Sequence, residues 1–127
     1  MGYDVQFVQV SAPPGASFPL SAEDAAPVLA RLVPFDDVEV VRGALLAIDG
    51  SRPGPEGSVD YMGKGLNYAR FFVHKTAIVV ENNCNARELL AVLSQLTPKY
   101  PKLLIRDLQN GQLHDAASFA EWWAGPL

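Results

Sequence analysis

Cys84, His74 and His114 are the side chains of this 127-residue chain whose types could do covalent or metal chemistry. A thiol beside an imidazole, with a carboxylate to orient the ring, is the minimum for nucleophilic catalysis. Asp107 and Asp115 supply the carboxylates. Cys84 stands just before a predicted helix start, where the helix dipole lowers a thiol pKa. Against this, a lone cysteine beside a strand end usually packs as a small apolar residue. His114-Asp115 reads more simply as an exposed strand-end imidazole followed by a helix-capping aspartate, and His74 as a turn residue. No residue is therefore assigned as catalytic. Two histidines without pair spacing and one cysteine do not supply three or four converging ligands, so neither a metal nor a cofactor is expected. Gly63-Lys64-Gly65 lacks the length of a phosphate loop and leads into a strand rather than a helix.

A second constellation concerns recognition. Tyr68, Arg70 and Phe72 alternate along one strand and share a face. Trp122 and Trp123, with Phe119, fall within one arc of a short terminal helix. Interleaved aromatic and arginine side chains serve either a protein hot spot or single-stranded nucleic acid. A formal charge of −4 without a basic stripe argues against nucleic acid. The expected binding residues are thus Tyr68, Arg70, Phe72, Trp122 and Trp123, facing a protein partner. The competing structural reading lays the tryptophan helix over the Tyr68 face, with Arg70 at its rim. Docking of that helix on a second subunit, giving a homodimer, is equally compatible with the pattern.

These side chains must be carried by a small core. At 127 residues and 49% apolar composition, residues 1–127 read as a single domain able to fold without staples. One cysteine rules out an intrachain disulfide. The start of the chain lacks a signal-peptide pattern, and no apolar run approaches the ~18 residues of a membrane helix. A cytoplasmic protein with no membrane partner is the expectation.

Residues 3–10 alternate as a strand, and residues 11–19, with three prolines and a glycine, form a loop. Asp24 is expected to cap the next helix, because that places Pro27 in its first turn. Residues 36–50 follow as a helix on an Asp36/Glu39 capping box, and residues 51–57, rich in Pro and Gly, as a surface loop. Strands are expected at residues 58–62, 66–73 and 76–81. Asn85 with Glu88 opens a helix ended by Thr97-Pro98. Asn110-Gly111 predicts a two-residue type I′ turn between residues 102–109 and 112–114. Asp115 then caps the last helix.

The expected architecture is α+β: an antiparallel or mixed sheet of about five to six strands, three to four helices mainly on one face, in the order β-α-α-β-β-β-α-β-β-α. The expected function is a non-catalytic protein-binding module, of the inhibitor or immunity type that a small acidic domain would offer a basic effector. The alternatives are an enzyme using Cys84 with a histidine, and a homodimeric carrier with an apolar cavity between sheet and helices.

Overall fold

Alternating side chains in the N-terminal segment place Val5 and Phe7 on one face and Val8 on the other, and all three are buried. Such a strand must lie mid-sheet. In the computed structural model, which describes residues 3–11 and 13–123 and only the backbone of Trp122 and Trp123, it does. β1 (Val5–Gln9) lies between β5 (Ile78–Asn82) and β6 (Leu103–Asp107). The described residues form seven strands in the order β2-β3-β4-β5-β1-β6-β7, every pair antiparallel. The others are β2 (Ser51–Pro53), β3 (Val59–Met62), β4 (Tyr68–Val73) and β7 (Leu113–His114). The helices are α1 (Ala22–Leu29), α2 (Val38–Leu46), α3 (Ala86–Leu96) and α4 (Ala116–Trp123). None is long and apolar enough to cross a membrane.

The sheet separates two apolar clusters. On one face Phe7, Phe71 and Ile105 pack with Val41 and Leu45 of α2, Leu89 and Leu93 of α3, and Phe119 of α4. Asn85 caps α3 as its sequence requires, accepting from the Glu88 amide at 2.9 Å. On the other face α1 sends Ala25 and Val28 against Val8, Val10, Ala77 and Leu113. That cluster covers only the β1–β6–β7 end.

Four local expectations need correction. The segment read as loop at residues 51–57 contains β2, the seventh strand, and then a short 3-10 turn at Pro55–Gly57. Pro53 is tolerated because β2 is an edge strand, where its missing N–H interrupts no inner ladder. Ser21, not Asp24, caps α1, accepting from the Asp24 amide at 3.1 Å, so Pro27 falls inside the helix. Leu20 decides this: it exchanges backbone hydrogen bonds with Leu113, which fixes where the chain leaves the sheet. Asp37 rather than Asp36 caps α2 and accepts from Glu39 and Val40, while Glu39 pairs with Arg42.

The fourth is the turn at Asn110-Gly111. Only Gly111 takes positive φ (76°), and the pairing Arg106↔Leu113 leaves a longer loop than two residues. The buried Asp107 carboxylate reorganises it by accepting from the amides of Gln109 (2.8 Å) and Asn110 (3.4 Å). This side-chain turn outcompetes the type I′ geometry. The pairing slips by two residues, so each side chain keeps its face.

Candidate binding surface

Because α1 stops at the β1–β6–β7 end, no helix among the described residues lies over the same face of β2–β5. Register fixes what stands there. Arg52 pairs with Asp60, Asp60 with Arg70, and Arg70 with Glu81, so one row crosses four neighbouring strands with charges that alternate in sign. One level along the strands lie Met62 and Tyr68, and on the other side Phe72 and Val79. Tyr68, Phe72 and Val79 are half-buried, and Met62 is 48% exposed. The expected trio Tyr68, Arg70 and Phe72 is therefore brought together on an open surface.

At its centre is an ion pair. Asp60 is buried and accepts from Arg70 Nε at 2.7 Å, Arg70 Nη2 at 3.3 Å and the Tyr68 hydroxyl at 3.2 Å. The Arg70 hydrogen bond holds the Asp60 carboxyl below the usual carboxylate range, against the opposing effect of burial. Arg52 adds a weaker attraction. The two-point contact fixes the guanidinium plane and neutralises its charge within the sheet. Asp60, Arg52, Glu81 and Met62 were missed in the sequence. The signal was available: Val59 and Tyr61 point inward, so Asp60 must share Arg70's face once the β3–β4 hairpin is in register.

The tryptophan helix does not cover this surface. α4 packs on α3, β6 and β7, on the opposite face of the sheet. The side chains of Trp122 and Trp123 lie outside the described residues.

The sheet edges are closed. Gly54 donates to Ser58 O and Met62 to Gly50 O, so residues 50, 52 and 54 turn their backbone groups toward β3. Outward, Pro53 has no N–H, and the Ser51 amide is taken by Ile48 O at 3.0 Å. At the far edge Leu113 is paired with Leu20. Strand addition has no run of free donors to use at either edge, among the described residues.

The reactive side chains are dispersed. His74 is exposed beyond the end of β4, whereas Cys84 follows β5 at that strand's opposite end. His114 is on β7, three strands from β5, a separation of about 14 Å. Contrary to the exposed position expected, His114 is fully buried, edge-on to Phe119 at 5.7 Å, with Nδ1 3.1 Å from Ser118 Oγ. Burial holds its pKa below the usual imidazole value, against the pull of nearby Asp107. Asp115 caps α4 as expected, accepting from the Ser118 amide at 2.8 Å.

Cys84 is buried and its thiol is pushed up to about 11, first by burial and then by the Glu88 carboxylate. This reverses the lowering that the helix dipole suggested. Glu88 also accepts from the Tyr61 hydroxyl (3.0 Å) and the Lys64 amide (3.3 Å), tying the β3–β4 loop to α3. Burial, helped by Glu88, pushes the Tyr61 phenol up to about 12. A Cβ on Gly63 would come within 2.4 Å of Glu88 Oε1, so only glycine allows this approach.

This chain matches no family model, no curated protein and no solved structure.

Among the described residues, no group of three or more His, Cys, Asp or Glu side chains could hold a metal ion. A surface cleft of about 370 Å³ opens beside α2, with Gln9, Asp36, Asp37, Val40, Lys99 and Tyr100 in its walls. Its carboxylates and its ammonium group, stacked 5.9 Å from the Tyr100 ring centroid, are unlike the apolar interior a hydrophobic carrier needs.

Proposed function

We propose that this chain is a non-catalytic protein-binding module, acting in the cytoplasm, whose contact surface is the open face of β2–β5. One observation carries the reading: Tyr68, Phe72 and Met62 remain partly exposed around an internally paired Arg70–Asp60, where no helix among the described residues covers them. Aromatic and arginine side chains already held in place lose little freedom on binding, and such residues dominate hot spots. The closed edges direct a partner to the face rather than to an edge. The charge row alternates in sign, so this surface does not select a strongly basic effector; the inhibitor-type role draws its support from net charge alone.

Native-lysate capture on the immobilised chain, run in parallel with Phe72→Glu, tests the proposal. The expected result is a specific set of bound proteins lost in the variant. Equal capture by both proteins refutes the assignment of the face.

A further inference from the structure

We propose that the open face binds a second copy of this chain, the two sheets meeting face to face about a two-fold axis that runs parallel to the strands between β3 and β4. The inference rests on the reading of that face as a contact surface and names its occupant. A two-fold interface requires one patch to be complementary to itself, so that position i meets j and j meets i. The row Arg52–Asp60–Arg70–Glu81 has this property. Rotation about the stated axis exchanges β2 with β5 and β3 with β4 without moving the row along the strands. Arg52 then faces Glu81 of the second copy at both ends, and the two inner pairs oppose with signs reversed.

An axis perpendicular to the strands is rejected by the same charges, since each would face its own copy. The α1 helix fixes the position as well. It occupies the β1–β6–β7 end, and an axis between β3 and β4 places each α1 beyond the β2 edge of the other copy. Packed sheets rotate by about 30° relative to one another, which displaces row ends about 7 Å from the axis by roughly 4 Å, within reach of an arginine side chain. On the flanking levels Tyr68 meets Met62 of the second copy, removing exposed apolar surface. Four strands make a small interface, so the dimer forms at concentrations of roughly 10–100 µM and dissociates on dilution.

Sedimentation velocity on the full chain up to about 500 µM, with Arg52→Glu, Glu81→Arg and their equimolar mixture, tests the geometry. Arg52 and Glu81 are both exposed, and circular dichroism checks that the variants fold. The wild type is expected to rise from 13.7 kDa toward twice that mass. Each variant alone sets like charges at both row ends and is expected to dimerise roughly 100-fold more weakly. The mixture is expected to recover the dimer, because a mixed pair restores opposite charges at both ends. A wild type that stays monomeric, or a mixture no better than its components, overturns the inference. If the dimer is absent while Phe72→Glu still abolishes lysate capture, the second-copy inference fails and the protein-binding reading stands. If Phe72→Glu changes neither association nor capture, both fail.

Discussion

Replacing Asp60 with alanine leaves three donors without their acceptor: two guanidinium N–H groups of Arg70 and the Tyr68 hydroxyl. Breaking a fully buried ion pair costs about 3–5 kcal/mol, chiefly because the remaining charge has nowhere to go. Here the Asp60 side chain is 10% exposed but that of Arg70 is 29% exposed, so the guanidinium regains part of its hydration by turning outward. The expected loss is therefore smaller, about 2 kcal/mol. For a chain of 127 residues the unfolding entropy is roughly 270 cal/mol/K, so the melting temperature should fall by about 7 °C. Urea unfolding followed by circular dichroism reads the loss as a lower midpoint at unchanged slope. A double-mutant cycle with Arg70→Met isolates the pair, because the second change removes the stranded charge and should return at least about 1 kcal/mol. The pH response gives an independent check. Asp60 is held below its unfolded value, so its contribution is present above pH ~4 and is lost as pH falls through the lower folded value; Asp60→Asn should remove that part of the acid slope. An Asp60→Ala loss under about 0.5 kcal/mol, with no coupling to Arg70, would refute the claim that this pair organises the face.

Three further outcomes follow from sites elsewhere. Gly111→Ala should cost about 2 kcal/mol by thermal melt, since φ is +76° and the new Cβ would meet Ala22 Cβ at 2.9 Å. Native Cys84 should resist iodoacetamide at neutral pH and react fully in denaturant, because a thiol with a pKa of about 11 is ionised in about one molecule in ten thousand at pH 7. His114 is held neutral by burial, so the unfolded chain takes a proton first as pH drops below about 6.5 and stability declines toward pH 5. His114→Phe should flatten that decline in urea titrations, and an unchanged slope would place its origin elsewhere.

Much of the fold was legible because local chemistry and global packing agree. Asn85 with Glu88, and Asp115, open α3 and α4 where their side chains can cap, and Pro98 follows the end of α3. Alternation in residues 3–10 and 66–73 specified strands and, with them, which side chains share a face. That is why Tyr68, Arg70 and Phe72 could be grouped from sequence. Two of the misreadings share a cause: Ser21 and Asp107 each override a plausible local rule through a constraint distant in sequence or hidden by burial. Leu113 fixes the start of α1, and the interior position of Asp107 lets it seize the turn amides.

The period of a strand is a local property, so the chain by itself determined the faces, the caps of α3 and α4 and the absence of a cysteine pair. Register between strands, the side of the sheet on which each helix lands, and the dielectric around a titratable group are sums over distant residues. Tertiary structure alone therefore aligned Arg52, Asp60, Arg70 and Glu81 in one row and put α4 behind the sheet instead of over it. It also set Cys84 in the core, as a lone cysteine beside a strand end was expected to pack, where desolvation and then the Glu88 carboxylate push its thiol up.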